Sequence, residues 1–518
     1  MIKTRLALPV LAALAAAATL GGCGGSSSSG DPATLAPPDT SVFVEATMPS
    51  GSAKENVDEL ARKIAGVENL GEFLIEKAEE SAGDSGHPLD YEKEIAPWLG
   101  EDAGIFLTGY DGNDFSGTGV AVEVTNSDEA RKFIDERVKE GAEGDVEEGS
   151  YKGVDYQLND SDESVTGVLG DFAVYAKSLK TFKEMVDASQ GESLADVGRY
   201  TSIVSAAPDE SLADAYIDVG RLIEEGGNGV DANTQSFLDA IGLEVEEASA
   251  LASLVPGTDQ VELDVASNFG EAQATSPASD LLGTMPAGSV AALASSEFGK
   301  AVGKAIDKID AQGIPGQVPP HQLKSALQRF GIDLDRITGS LQDIAAFAEG
   351  TDKGSLAGAV VLTTDDAAEA ANTVAKVGLL LRANHTPGVS AVTGKASGFS
   401  IHSESLGPKP LVVATAGKRI AIGYGLPAAL TGLASESGAT LSGETAYKEA
   451  VGALGGAEIS GFVDGPAAVA LAGSLVEGED RAKFAEVKPY LSNIGYVAIG
   501  SQAEGELNVA RLIVGLTK

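Results

Sequence analysis

Apolar positions change period along the chain, and the order of those changes comes round twice. Val57, Leu60, Ala61 and Ile64 fall at i, i+3, i+4 and i+7, which is one face of a helix. "AGIFLTG" (103–109) and "GTGVAVEV" (117–124) are apolar runs around the turn "YDGNDFSG", a hairpin signal. Asn126 or Ser127 is placed to cap the helix that follows, as Asp365 is farther on. "EASALASLV" and "DQVELDVASNF" alternate as strands of a half-solvated sheet do. Each half of the chain reads as a strand, two or three helices, two strands, a helix, four strands, two helices, a strand and a closing pair. So many hairpins predict an α+β fold, a mainly antiparallel sheet with helices packed on it.

Short matches recur in the same order at nearly constant spacing, which points to internal duplication. "PDTSV" from Pro38 answers "PAGSV" from Pro286, "GVAVEVTNSDEA" from Gly119 answers "GAVVLTTDDAAEA" from Gly358, and "YKGVDYQ" answers "KASGFSIH". Tyr200 answers Tyr447, Asp218 in "AYIDVG" answers Asp464 in "GFVDGP", and "VELDVA" answers "GELNVA". The period is far too long for a solenoid. The expected organisation is two related α+β halves, 37–268 and 285–518, with a linker over 269–284.

The N-terminus departs from this pattern. Lys3 and Arg5 precede the apolar run "LALPVLAALAAAATL", an export signal over residues 1–22. Leu20-Gly21-Gly22-Cys23 closes it, and Cys23 is the only cysteine of the 518 residues. These four residues resemble the bacterial lipobox. The resemblance implies lipid on the Cys23 thiol, cleavage before Cys23, and a protein anchored at the extracytoplasmic face of the cell membrane. "GGSSSSGDPATLAP" then reads as a flexible tether over 23–36. Within the body, "PPDTSVFVEA", "IAPWLGEDAGIFL", "GVAVEVTNSDEA" and "YKGVDYQL" resemble a family of bacterial envelope proteins known only as a domain of unknown function. That resemblance implies an extracytoplasmic protein and brings no catalytic residues. The second half departs from it at one place: "ITGSLQDIAAF" stands where Pro97-Trp98 would be expected.

Composition and charge narrow the chemistry. Aromatics are only 5% of residues against 43% hydrophobic overall, so the cores are built from small aliphatic side chains. Residues 23–284 hold 15 basic and 54 acidic residues, net −39, whereas 285–518 hold 19 and 23, net −4. Such a balance disfavours nucleic acid and adsorption to anionic lipid. His87, His321, His385 and His402 form no His-Glu-x-x-His arrangement, and the lone cysteine is taken by the anchor, so thiolate chemistry is excluded. "EFGKAVGKAI" has its glycines one residue too close for a phosphate-binding loop and lacks the hydroxyl, so it reads as a helix. "GYGLPAAL" lacks the third glycine of a dinucleotide fingerprint, and Pro427 suits the first turn of a helix. No cofactor is expected; calcium at two oxygen-rich turns, Asp111/Asn113/Asp114 and Asn159/Asp160/Asp162/Glu163, is the least implausible, and neither keeps EF-hand spacing. Asp and Asn also favour turns for their own hydrogen-bonding reasons. Trp98, the single tryptophan, is expected to pack rather than bind.

These readings point to a lipid-anchored, non-enzymatic envelope protein that binds a partner. A carrier of an apolar ligand held in a cleft is the alternative, and an unrecognised hydrolase the third. The anchor is tested directly by Cys23→Ser, which should release the protein from the membrane into the aqueous phase on detergent partition. Unchanged membrane retention of that variant would exclude lipid at Cys23.

Overall fold

A computed structural model of the chain describes residues 30–64, 66–67, 91–112, 114–141, 145–226, 247–268, 279–313, 319–329, 331–434, 439–478 and 480–517. They divide into two compact units. Residues up to 226 with 247–268 and 504–509 form the first, and 279–503 with 510–517 the second.

The first unit runs β1 (Val42–Thr47), α1 (Gly51–Ile64), β2 (Leu99–Tyr110), β3 (Phe115–Val124), α2 (Ser127–Gly141), β4 (Val146–Tyr151), β5 (Val154–Asn159), β6 (Val165–Leu169) and β7 (Phe172–Ala176). It continues with α3 (Leu179–Ser189), α4 (Gly198–Val204), β8 (Ala213–Asp218), α5 (Val219–Glu225), β9 (Ser249–Pro256) and β10 (Gln260–Ser267). Register gives the lateral order β4-β5-β6-β7-β3-β2-β1-β8-β9-β10, antiparallel throughout. One face carries Phe43, Phe106, Tyr216, Leu251 and Val174 under α3, α4 and the first described turn. The other carries Ala103, Val120, Val122, Ala173 and Tyr175 with Ala130, Phe133 and Ile134 of α2. Trp98 completes that second core. It is 2% exposed, its ring lies 5.3 Å from Phe133, and its indole N–H donates to the Glu94 carbonyl at 2.6 Å. Packing is thus what Trp98 does, as expected of it.

The second unit runs α6 (Ser279–Gly283), β11 (Ser289–Ser295), α7 (Phe298–Gln312), α8 (Leu323–Arg329), α9 (Leu334–Ser340), β12 (Leu341–Glu349), β13 (Ala357–Thr364) and α10 (Ala367–Ala383). Then come β14 (Val389–Val392), β15 (Ser397–Ile401), β16 (Leu411–Ala416), β17 (Arg419–Tyr424), α11 (Leu426–Leu433), α12 (Thr445–Ala453) and β18 (Glu458–Asp464). It closes with α13 (Gly465–Leu475), α14 (Asp480–Leu491), β19 (Ile494–Glu504) and β20 (Leu507–Leu516). Its order is β14-β15-β16-β17-β13-β12-β11-β18-β19, antiparallel, with β20 beside β19. Local devices recur as well. Tyr200 meets Tyr216 edge-on at 5.2 Å, and Tyr447 meets Phe462 edge-on at 5.4 Å. Asp218 caps α5 by accepting the Arg221 N–H, and Asp464 caps α13 by accepting the Ala467 N–H at 2.8 Å. Both contacts satisfy amides that a helix start leaves orphaned.

Three boundaries differ from expectation. The tether over 23–36 gives way to folded chain within its own length: Pro32–Leu35 is a short 3-10 turn, and Ala33 and Ala36 have no exposed surface. Gly104 makes room for it, since a Cβ there would sit 2.8 Å from Pro32. A Pro- and Ala-rich run looks like linker, but its methyl and pyrrolidine groups fill a shallow core. The linker over 269–284 is shortened in the same way by α6, whose Leu282 has no exposed surface; residues 269–278 lie outside the described set. Asn126 does cap α2, whereas in the second unit Asp366, not Asp365, accepts the Glu369 N–H at 2.9 Å.

Phe462 is 2% exposed at the centre of the second core. Phe462→Ala should lower unfolding free energy by about 3–5 kcal/mol in urea titration. Leu293→Ala, at a side chain 54% exposed, should cost below about 1 kcal/mol.

Candidate functional site

The residues singled out by type are mostly engaged in local structure. Cys23 with Leu20-Gly21-Gly22, His87 and Asn113 lie outside the described residues. Asp111 accepts the Asp114 N–H, and Asp114 accepts the Phe115 N–H and faces the Lys177 ammonium at 3.5 Å, so this turn is engaged in local structure. Asn159 likewise accepts from Ser161, and Asp162 from the N–H and hydroxyl of Ser164. His321 is exposed, 4.0 Å from Asp310, while His385 sits at the end of α10 with φ 55°. Among the described residues no group of three His, Cys, Asp or Glu side chains is arranged to hold a metal ion. No helix among them is long and apolar enough to cross a membrane.

The informative arrangement is a row of side chains that crosses each sheet. Val44, Ile105, Val120, Tyr175, Thr166 and Gln157 are successive lateral neighbours on β1, β2, β3, β7, β6 and β5. The matching row in the second unit is Leu293, Ala346, Val360, Ile422, Val413 and Phe399. Alternation puts each row on one face of its sheet. In the first unit Trp98 and α2 cover it, leaving Val120 and Tyr175 only 1% and 2% exposed. In the second unit α10 packs over β14, β15 and β16, and no tryptophan stands in for Trp98. Leu293 is accordingly 54% exposed and Ile422 36%, with Ala346 and Val360 half-buried between them. Of the large apolar side chains that are exposed among the described residues, all but Leu254 belong to the second unit.

At its far end the row has a different character in each unit. In the second, Phe399 is 3% exposed beneath α10, where a Cβ on Gly378 would lie 2.9 Å from its ring. In the first, Gln157 and Thr166 border an open cavity of about 420 Å³ between α2 and β4–β6, together with Arg131, Asp135, Glu148 and Asp155. The Gln157 amide donates to the Asp135 carboxylate at 2.5 Å. Its carbonyl oxygen and the hydroxyl of Thr166 are buried and lack a partner.

The opposite face of the first sheet holds a second polar row. Glu45, Asp214, Ser253 and Asp264 are lateral neighbours on β1, β8, β9 and β10, directly beside the apolar row Phe43–Tyr216–Leu251–Ala266. Burial, with Asp31, Asp102 and Asp214 nearby, raises Glu45 from 4.5 to about 8. Burial also raises Asp102 from 3.8 to about 6, against a hydrogen bond from Thr47, and moves Asp214 upward against its bonds from Ser253 and Ser211. Glu123 accepts the N–H groups of Glu101 and Asp102. In the second unit Ala294 and Ala345 pair at the place of Glu45 and Gly104. Neither row is legible along the chain, because each assembles from strands far apart in it.

Comparison with known proteins places the chain among relatives. A family model described as "Protein of unknown function (DUF3352)" matches residues 77–422. The chain belongs to that family. No curated protein matches it. Among solved structures, crystal forms I and III of TP0453 are 9% and 11% identical, with TM-scores of 0.25 and 0.27. They cover 48% and 49% of this chain and 82% and 85% of theirs. The match to DUF3352 begins between α1 and β2 and ends in β17, so it takes in parts of both units.

The buried carboxyls make stability depend on pH. A carboxyl that holds its proton more tightly folded than unfolded stabilises the fold at low pH, and that contribution is lost as pH rises. For Asp102 the loss runs from 3.8 to about 6, and for Glu45 from 4.5 to about 8. The urea midpoint should therefore fall between about pH 5 and about pH 8, and Glu45→Gln should flatten the upper part of that fall. A wild-type midpoint that holds or rises over this range would contradict the placement of Glu45.

Proposed function

We propose that the protein is a lipid-anchored, extracytoplasmic envelope protein of the DUF3352 family that acts as a non-enzymatic binding module. The anchor is Cys23, and its lipobox and preceding signal support an exported, membrane-attached chain. The two units are copies of one ancestral fold, a reading supported by their equal strand order, the recurring aromatic pairs and the capping pair Asp218 and Asp464.

The observation that carries the binding role is the uncovered row Leu293–Ala346–Val360–Ile422. Contiguous apolar surface of this kind marks contact sites in soluble proteins. It lies on the copy with net charge −4, while in the copy with net charge −39 Val120 and Tyr175 of the corresponding row are buried and Val44 and Ile105 half-buried. A near-neutral apolar face suits a partner envelope protein or the apolar part of a lipid-like molecule, and the acidic copy keeps the anchored protein in solution. The face is open sheet rather than an enclosed cavity, which favours an interaction module over a carrier.

The experiment is extraction of the native protein, wild type beside the double variant Leu293→Glu and Ile422→Glu, with mass spectrometry of co-purifying lipids and proteins. Leu293 is 54% exposed and Ile422 36%, so the variant should stay folded, as its unfolding midpoint would report, while the reproducible co-purifying component should be lost. The same set with both proteins, or none with wild type, overturns this reading.

A further inference from the structure

A cavity of the first unit lies between α2 and β4–β6. Its floor and rim differ in chemistry. At the floor, Thr166 is 5% exposed and its hydroxyl has no hydrogen-bond partner, and the side-chain carbonyl of the neighbouring Gln157 is also without one. Buried polar atoms are expensive to leave unpaired, and these two belong to residues that line the cavity. At the rim, Arg131, Glu148 and Asp155 are exposed. No ion pair or hydrogen bond engages their side chains among the described residues, although both signs line one cavity in a unit otherwise dominated by acids.

The volume, about 420 Å³, suits an amino acid or short peptide rather than a single ion. No metal-ligand group is present among the described residues. A plain anion would face Asp135, Glu148 and Asp155. A plain cation would leave Arg131 unexplained. A molecule with both charges uses every one of these groups.

We propose that this pocket binds a small zwitterion, an amino acid or short peptide. Its ammonium group is received by the Gln157 carbonyl, the Thr166 hydroxyl and the acidic side chains, and its carboxylate by the Arg131 guanidinium. Three N–H donors on an ammonium match an inner surface that offers acceptors, and a guanidinium is suited to a carboxylate by its paired donors. The second unit supplies an internal contrast. There Phe399 and Val413 stand at the places of Gln157 and Thr166, and Phe399 fills the space under α10.

A net-neutral ligand also gives a clean test, because it is not gathered by the large negative charge of the first unit. Alanyl-alanine is titrated into the full chain by calorimetry, beside its N-acetyl form and its C-terminal amide. Free dipeptide should bind, and each blocked form should bind at least about tenfold more weakly. Gln157→Phe, which fills the pocket as Phe399 does, should abolish binding. Thr166→Val should weaken it about tenfold without lowering the unfolding midpoint, since it removes a hydroxyl that has no partner. Absence of binding by free dipeptide overturns the proposal. Equal binding of the amide makes this a cation site, equal binding of the N-acetyl form an anion site, and either result also overturns it. Binding that both variants leave unchanged places the dipeptide elsewhere and does the same.

Discussion

Burial of Trp98 against Phe133 is the contact on which the difference between the two units turns. A sheet has two faces, and each must be covered or left to water. In the first unit the indole and helix α2 together cover β2, β3 and β7, so Val120 and Tyr175 become core. In the second unit the helix covers β14 to β16, nothing replaces the indole, and the same row of the sheet stays at the surface. Two sheets of like strand order therefore differ along this row, one buried at Val120 and Tyr175, one open and apolar.

The same row links the apolar face to the polar pocket. Following it outward from β1, the first unit goes from half-buried Val44 and Ile105 through buried Val120 and Tyr175 to Thr166 and Gln157, where hydrogen-bonding capacity is left over. Following it from β11, the second unit goes from exposed aliphatics to Phe399, where space is filled. Cover and polarity have been exchanged along one line of residues. The proposed duplication makes this intelligible: once two copies exist, each can lose a feature the other retains.

The carboxylates beneath the other face of the first sheet are costly to the fold. Glu45 and Asp214 sit one row from Phe43 and Tyr216, and burial raises both carboxyls above their ordinary range. Ser253 and Ser211 meet Asp214 and Thr47 meets Asp102, so part of the cost is offset by hydrogen bonds. In the second unit Ala294 stands at the place of Glu45, which removes the cost of that carboxyl.

Much of the local structure was legible from the chain itself. Period and turn chemistry determine the hairpin at Asp111, the apolar face of α1 and the cap at Asn126, because these depend on residues within a few positions of each other. Cys23 at the end of its apolar run likewise determines the expectation of an anchor. The cap at Asp366 and the folding of Pro32–Leu35 were misjudged by composition, since one residue of register and one glycine at position 104 decide them. Only tertiary structure brings Glu45 beside Asp214, Thr166 beside Gln157 under α2, and Leu293 into line with Ile422. Lateral strand order is set by which faces can be buried together, and that is a property of the assembled sheet rather than of any stretch along the chain.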